Sequence, residues 1–225
     1  MLKQTLSTAL IVSMFAFGCS DDDNPVEPGI DISNVNVIHA SPDAPGVDLV
    51  VDGTVAAANL EFPNNTGYLD VNSGTRKVNV NVTGSSNSVI SADLDIAEGV
   101  FYSVFAVDSV SKISAIVIED DLTPPTAGNA HVRFVHLSPN APAVDITLTD
   151  GTIVFGNKAF KEYTDFTPLT AGSYELQVRV AGTDQVALEL GTITVAEGKI
   201  YTVFAKGFLG GTGGQSLGAE IIVNN

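Results

Sequence analysis

The chain has 225 residues and a net charge of −16 at pH 7, from 10 Lys and Arg against 26 Asp and Glu. Such a surface repels the phosphate backbone of nucleic acid, and Arg76-Lys77 is its only adjacent pair of cations, so composition argues against a nucleic-acid partner. One cysteine excludes an intramolecular disulfide, and the length allows two domains.

Residues 1–18 predict an N-terminal signal peptide. Lys3 precedes an apolar run from Leu6 to Phe17, and polarity changes abruptly after Gly18. About a dozen apolar residues are too few to cross a bilayer of roughly 30 Å as a helix. A permanent transmembrane anchor is therefore the weaker interpretation, and the sequence predicts export.

Cys19 is the predicted lipid-attachment site. The segment Ala16–Cys19 resembles the lipobox of bacterial lipoproteins, in which the cysteine is acylated and becomes the new N-terminus, although Phe17 departs from the commonest pattern. The alternative is an ordinary secreted protein with a stray cysteine. Several acyl chains on one cysteine give stable anchoring, so the resemblance implies a partner in the membrane.

An acidic tract follows the cysteine. It resembles the surface-export signal of Bacteroidota lipoproteins and consists of Ser20, Asp21, Asp22 and Asp23. The alternative is a solvated tether, because residues 19–34 also contain the prolines of an extended linker. The resemblance implies an outer-membrane lipoprotein in the cell envelope that is exposed at the cell surface.

Residues 35–118 predict a first all-β domain. The segment Arg76–Val82 alternates strictly, which places its valines on one face of a strand and its asparagines on the other. Breaks rich in Gly, Pro, Asn and Asp separate it from further short strands, predicted at 35–39, 47–51, 55–60, 68–71, 89–96, 100–107 and 113–118.

Residues 119–129 predict a linker. Pro124 and Pro125 cannot extend a sheet, and the acids of Glu119–Asp121 are expected to be solvated, with a calcium site as the weaker interpretation. A short and semi-rigid linker predicts two domains held in a preferred orientation, one after the other along a stalk.

Residues 130–225 repeat the strand pattern. Strands are predicted at 131–136, 144–149, 152–155, 164–169, 173–180, 186–195, 200–205 and 219–223. About seven short strands in fewer than 100 residues predict an immunoglobulin-like β-sandwich, with a small barrel as the alternative. The predicted fold is thus all-β, with two tandem immunoglobulin-like β-sandwich domains after a lipoprotein signal peptide.

A motif of ten residues occurs once in each repeat. It is HASPDAPGVD at 39–48 and HLSPNAPAVD at 136–145. Similarity continues through Tyr102–Ala106 and Tyr201–Ala205, and a repeat of about 95 residues has the size of a small domain. The candidate structural residues are His39, Ser41, Pro42, Pro45 and Asp48 in the first copy, and His136, Ser138, Pro139, Pro142 and Asp145 in the second.

Strand parity predicts a structural role for this motif. Each histidine shares a face with the apolar residues of its strand, so a neutral imidazole at the rim of a core should bind a turn carbonyl or the motif Asp. The prolines make the connector rigid, and the aspartates should be solvated or paired with the histidine. The alternative is a metal site, but one His and one Asp are too few ligands for zinc and the wrong donors for calcium. We therefore predict no metal and no cofactor.

The doubled motif is similar to the domain-of-unknown-function family 4397 (DUF4397). The resemblance also includes an Ala-Glu-Gly turn followed by Tyr-x-Val-Phe-Ala, and it covers nearly all of residues 35–225. It implies a β-sandwich in bacterial envelope or extracellular proteins, and it implies no established activity.

The sequence predicts a protein that is not an enzyme. It has neither a Gly-x-Ser-x-Gly elbow nor a His-Glu-x-x-His helix.

The first hypothesis is a surface-anchored structural or interaction module, a spacer or adhesin-like element whose partner is a surface protein. The second is a glycan-binding accessory lipoprotein, which needs exposed aromatic side chains such as Tyr68, Tyr163 or Tyr174. A calcium-stabilised envelope module is a third. The glycine-rich loop at 208–214 is the most plausible contact surface, and the oligomeric state is left open.

Overall fold

The computed structural model describes residues 31–225. The predicted signal peptide, Cys19, and the export signal of Ser20, Asp21, Asp22 and Asp23 lie outside the described residues. Within the described range the regular structure consists of sixteen strands and two short 3-10 turns. No helix in this range is long and apolar enough to cross a membrane.

The first repeat folds into two sheets of four strands, in the orders β4-β1-β7-β8 and β3-β2-β5-β6. Strand β1 pairs in parallel with β7, and the remaining neighbours are antiparallel. The strands are β1 Ile32–His39, β2 Val47–Val51, β3 Thr54–Leu60, β4 Asn65–Asn72, β5 Gly74–Val82, β6 Ser88–Ile96, β7 Phe101–Val107 and β8 Ser114–Asp120.

The second repeat has the same topology, with sheets β12-β9-β15-β16 and β11-β10-β13-β14. Its parallel pair is β9 and β15. The strands are β9 Asn129–His136, β10 Val144–Leu148, β11 Ile153–Lys158, β12 Thr167–Thr170, β13 Gly172–Val180, β14 Val186–Val195, β15 Ile200–Lys206 and β16 Gly218–Val223. The prediction of an all-β chain with two tandem sandwiches is confirmed.

Each sandwich encloses its own apolar core, as the alternating strands predict. Val78 and Val80 of β5 point inward to the first core, and Leu176 and Val178 do the same in the second. Burial of such faces is the main favourable term in forming a sandwich, because it removes apolar surface from water.

A third apolar cluster joins the two sandwiches. It contains side chains from the outer faces of the β1-β7 and β9-β15 sheets, namely Ile38, Ala40, Phe105, Val107, Ile118, Val135, Leu137, Phe204 and Ile222. The rings of Phe105 and Phe204 meet edge to face with their centroids 6.2 Å apart. The four sheets therefore stack in layers, and the central strands are buried on both faces.

This packing differs from the stalk that the linker predicted. The apolar outer faces of the two repeats cover each other, because neither face could remain exposed to water without cost. Glu119 and Asp120 lie in β8, Asn129 begins β9, and only residues 121–128 connect the strands. Asp120, expected to be solvated, is buried. At the other end, residues 32–34, which the sequence assigned to the tether, lie in β1.

Candidate functional site

The motif histidines connect each first strand to the turn that follows it. Nε2 of His39 lies 3.0 Å from the carbonyl oxygen of Pro45, and Nε2 of His136 lies 3.0 Å from that of Pro142. A carbonyl only accepts, so each Nε2–H donates. Burial lowers the pKa of both rings, which favours the neutral form. Strand parity predicted either a turn carbonyl or the motif Asp as the partner of each histidine, and in the structure the partner is the turn carbonyl.

The two motif copies differ in how completely their polar groups are paired. In the second copy the backbone N–H of Ser138 donates to Nδ1 of His136 over 3.3 Å. In the first copy Nδ1 of His39 has no hydrogen-bond partner within residues 31–225. The buried hydroxyls of Ser41 in the first copy and Ser138 in the second also have none there. Both turns contain the predicted prolines, at Pro42 and Pro45 and at Pro139 and Pro142. The turn is thus anchored in both repeats, and more fully in the second.

The motif aspartates bind backbone amides and not the histidines. Asp145 accepts hydrogen bonds from the N–H groups of Asn157, at 2.6 Å, and Gly182, at 2.9 Å. Asn157 has a φ of 51° at an irregularity of β11, so the carboxylate holds a strained bend in place. Asp145 is buried, and the expectation of a solvated or histidine-paired carboxylate is therefore wrong for it.

Asp48 occupies the equivalent position in the first repeat. It accepts from the N–H of Asn59 at 2.8 Å, the N–H of Gly84 at 3.2 Å and the hydroxyl of Thr83 at 3.1 Å. The hydrogen bond from Asn59, followed by that from Gly84, lowers the pKa of Asp48. In each repeat the aspartate therefore links three segments of one sheet, namely its own strand, the next strand along the chain and a hairpin turn of the same sheet.

These contacts leave no His–Asp pair of the motif free to bind a metal ion together. The histidine and the aspartate of each copy have separate partners, so neither pair converges on a common point. Across residues 31–225, no group of three or more His, Cys, Asp or Glu side chains is placed to hold a metal ion. In residues 31–225, both motif histidines donate to turn carbonyls and both motif aspartates accept from backbone amides.

The glycine-rich loop between β15 and β16 closes over the second motif. The side chain of Asn140 accepts from the N–H of Leu209 at 2.8 Å and donates to its carbonyl oxygen at 3.0 Å. A cavity of about 200 Å³ lies beneath this contact and is bordered by His136, Pro142 and Leu217. The loop is therefore fixed to the motif turn at its Leu209 end.

A buried charged network lies between the sandwiches. Nη1 of Arg133 donates to Oδ1 of Asp120 over 2.5 Å, Nη2 donates to Oγ of Ser103 over 2.8 Å, and Nε donates to Oγ1 of Thr202 over 2.9 Å. Both charged side chains are almost completely excluded from solvent. A buried ion pair is tolerated when its polar atoms have further partners, and here each guanidinium nitrogen and each carboxylate oxygen has at least one.

Two further side chains extend this network across the interface. The hydroxyl of Tyr68 donates to Oδ2 of Asp120 over 2.5 Å, and Nδ2 of Asn224 donates to the Tyr68 oxygen over 3.0 Å. Burial, and then the negative charge of Asp120, raise the pKa of Tyr68 above its ordinary value. Tyr68 is therefore a structural residue of the interface, and its hydroxyl is already engaged.

A cleft of about 480 Å³ opens to solvent beside the network. The Tyr163 side chain, which is 41% exposed, borders it with Phe166, whose ring centroid lies 4.5 Å from the Arg133 guanidinium carbon. The remaining lining includes three carboxylate side chains, Glu119, Asp121 and Asp165. The cleft thus combines aromatic rings with hydrogen-bond acceptors.

The other tyrosines proposed for sugar binding have different surroundings. Tyr68 belongs to the interface network, and Tyr174 packs against the second core while its hydroxyl donates to the carbonyl of Thr170. Of the three candidates only Tyr163 is exposed and borders a cleft. The flat pair of exposed tyrosines that would favour a glycan site is not formed by these three side chains.

Sequence reasoning missed the interface residues, although one signal was present. The segments Tyr102–Ala106 and Tyr201–Ala205 are apolar at successive positions, which is typical of strands buried on both faces. Strand parity on β9 places Arg133 on the face opposite Phe134 and His136, away from the second core. Strand parity does not say what covers that face, and in the structure the first sandwich covers it.

Comparison with known proteins identifies the family. The sequence profile of the family described as "Domain of unknown function (DUF4397)" matches residues 33–147 and 147–224. The chain belongs to this family. The DUF4397 profile divides it at residue 147, inside β10, whereas the repeat of sheets divides it between β8 and β9.

Similarity to other proteins adds little to the DUF4397 assignment. Among solved structures, the chain is similar to CBMbc, a family 26 carbohydrate-binding module from Eubacterium rectale Amy13K in complex with maltoheptaose. Identity is 11%, coverage is 84% of this chain and 95% of that one, and the TM-score is 0.27, which carries no argument. None of the curated proteins matches the DUF4397 chain.

Proposed function

We propose that this DUF4397 chain is a non-catalytic, lipid-anchored interaction module of the bacterial cell surface, in which two sandwiches form one rigid unit. The supporting observation is the interface, which combines a shared apolar cluster with the Arg133–Asp120 network. A single rigid body presents its loops in a fixed geometry, which suits a spacer or an adhesin-like element that contacts another surface protein.

The polar groups of the motif support a structural role over catalysis. A general base must have a free nitrogen or oxygen within reach of substrate. Nε2 of both motif histidines donates to a turn carbonyl, and Asp145 is committed to backbone amides. Nδ1 of His39 has no partner among the described residues, but the ring is fully buried and out of reach of a substrate in solution. The chemistry-bearing residues of the motif therefore stabilise the fold.

Protease treatment of intact cells tests the proposed location. We expect the wild-type chain to be degraded on intact cells and labelled by an alkyne-tagged fatty acid, because Cys19 holds it on the outer face. Cys19→Ser should lose the label and leave the membrane fraction. In the wild-type chain, Cys19 and the acidic tract together direct the protein to the cell surface. Protection of the wild-type chain until the outer membrane is permeabilised would place it in the periplasm instead.

Rigidity is tested independently by the distance between spin labels on the two sandwiches. Exposed positions such as Thr75 and Asp184 can carry the labels in a Cys19→Ser background. A single narrow distance distribution is expected, and breaking the ion pair with Asp120→Asn should broaden it. A broad distribution in the parent chain would contradict the rigid unit.

The interdomain cleft supports a second candidate function, glycan binding. Tyr163 and Phe166 offer apolar ring surface, and the carboxylates of Glu119, Asp121 and Asp165 can accept hydrogen bonds from sugar hydroxyls. The same cleft is too acidic for an anionic polysaccharide, so the expected ligand is a neutral glycan.

A glycan array with three variants tests this candidate. Tyr163→Ala should reduce binding of a neutral glycan by at least about fivefold, since loss of a central aromatic contact costs more than about 1 kcal/mol. Tyr163→Phe should retain binding because the ring is kept, and Val55→Ala, an exposed residue of the first sandwich, should have no effect. Equal binding by wild type and Tyr163→Ala would exclude the cleft.

A further inference from the structure

The core of the first sandwich contains an apolar cavity of about 110 Å³. It lies between the two sheets, and its walls are formed by side chains such as Val37, Leu49, Val80, Leu94 and Val104. Asp95 is the one charged residue of the lining. The apolar side chains that form these walls offer water no hydrogen-bond partner, so water gains little by occupying the space.

The second sandwich fills the equivalent space with aromatic rings. Val37 is the register partner of Val104 in the first repeat, and Phe134 is the register partner of Val203 in the second. Phe134 therefore stands where the first repeat has Val37. Its ring stacks on Phe155 with centroids 6.5 Å apart, and only about 20 Å³ remains there.

A second substitution contributes to the difference in volume. Ala57 is the register partner of Leu49, and Phe155 is the register partner of Ile146, so Ala57 and Phe155 are equivalent. The same topology therefore encloses a filled core in the second sandwich and a core with a cavity in the first. The cavity follows from side-chain size at these positions and not from a different backbone topology.

The cavity is accessible from solvent between two sheet edges. Strand β6 forms the edge of one sheet and β8 the edge of the other. Ala92 and Leu94 of β6 face Ala115 and Val117 of β8 across the mouth, and all four side chains are half-buried or exposed. Ala92 and Ala115 contribute small side chains to this part of the lining.

We propose that this cavity binds the end of an alkyl chain that carries an uncharged head group. An engineered apolar cavity of about 150 Å³ in another protein binds benzene, so a space of this order accepts a small apolar group. The opening runs between two strands, so the end of an alkyl chain can enter it while the rest of the ligand extends through the mouth into solvent. The net charge of −16 disfavours a carboxylate head group, and hence fatty-acid anions, whereas it does not oppose an uncharged head group.

Methyl NMR of the full chain with two matched probes tests the proposal. Saturable shifts of the Val37, Val80 and Val104 methyl signals are expected with 1-hexanol. Hexanoate has the same chain length and a negative head group, and it should bind at least about threefold more weakly. Val37→Phe should abolish the shifts, while Phe134→Val should create new ones at Val132 and Val203 in the second sandwich.

The variants also determine what would overturn the proposal. Thermal melting checks that each one is folded, and Ala115→Leu, which narrows the mouth without filling the core, replaces Val37→Phe if that variant does not fold. Shifts that persist in the folded filled or narrowed variant would refute cavity binding. So would wild-type shifts that do not saturate, or that are equally large at the exposed Val55 and Ile153.

Discussion

The histidines of the two motifs show how one residue can fix a turn through its neutral form. His39 and His136 are fully buried, and each ring donates from Nε2 to a proline carbonyl six residues along the chain. Burial lowers the pKa of both rings, so the folded chain resists their protonation. In the unfolded chain the same rings titrate near their ordinary pKa of about 6.5.

The free energy of unfolding should therefore fall as the pH drops below about 6.5. The unfolded chain then binds protons that the folded chain excludes, at a cost approaching 1.4 kcal/mol per pH unit for each histidine until the folded rings titrate. Above about pH 7.5 this contribution is complete and constant. Urea unfolding between pH 5 and pH 8 measures it.

Glutamine variants assign the effect to the motif. His39→Gln and His136→Gln together should remove the pH dependence of unfolding in this window, and His131→Gln, outside the motif, should retain it. A wild-type unfolding free energy that is flat between pH 5 and pH 7.5 would contradict neutral burial of the rings.

Among the elements, the connection between β15 and β16 distinguishes the second repeat most clearly. The first repeat joins β7 to β8 through residues 108–113, whereas the second uses residues 207–217, which include five glycines. Gly207 has a φ of 77°, and a Cβ there would overlap the backbone carbonyl of Ser216. The loop conformation over the motif thus depends on glycine at this position.

Gly207→Ala should destabilise the chain more than Gly213→Ala. Both glycines have a positive φ, but a Cβ at Gly213 meets no atom within 4 Å, so this variant measures backbone strain alone. Overpacking adds about 1–3 kcal/mol to Gly207→Ala. Thermal unfolding of the two variants measures the difference, and equal melting temperatures would show that the loop moves aside freely.

For the molecule as a whole, the two repeats are related like the subunits of a symmetric dimer. Equivalent side chains from each repeat meet at the interface, as Phe105 and Phe204 do, which is the arrangement of an isologous contact. The charged pair departs from this symmetry. Arg133 is equivalent to Asn36, and Asp120 to Asn224, so the ion pair forms on one side only.

Removing one partner of this pair should be costly, and removing both should be tolerated. Asp120→Leu or Arg133→Met leaves a buried charged group without its counter-charge and should lower the unfolding free energy by about 3–5 kcal/mol. Asp120→Leu with Arg133→Met should lower it by less than either single change. Urea unfolding in a double-mutant cycle measures the coupling.

An exposed ion pair provides the control for this cycle. Asp184 contacts Arg179 at the surface, and Asp184→Asn should not measurably change stability, because solvent screens the pair. Strictly additive costs for the Asp120 and Arg133 changes would show that the buried pair does not couple the sandwiches.

Local pattern alone determined the strands, the duplication and the inward faces. Alternation with a period of two places Val78 and Val80 on one side of β5 whatever surrounds the strand, and the doubled motif predicts one fold repeated twice. The same alternation places Arg133 of β9 on the face opposite the second core. These features depend on residues near one another in sequence, so no further information was needed.

Only the tertiary structure decided what covers the outer faces and how well each core is filled. Burial of Asp120 depends on Arg133 reaching it from the other repeat, and the cavity depends on the summed volumes of side chains such as Val37 and Ala57 from separate strands. Sequence pattern assigns a side chain to a face. It does not report the distance to the opposing layer, which arises from the packing of all the strands together.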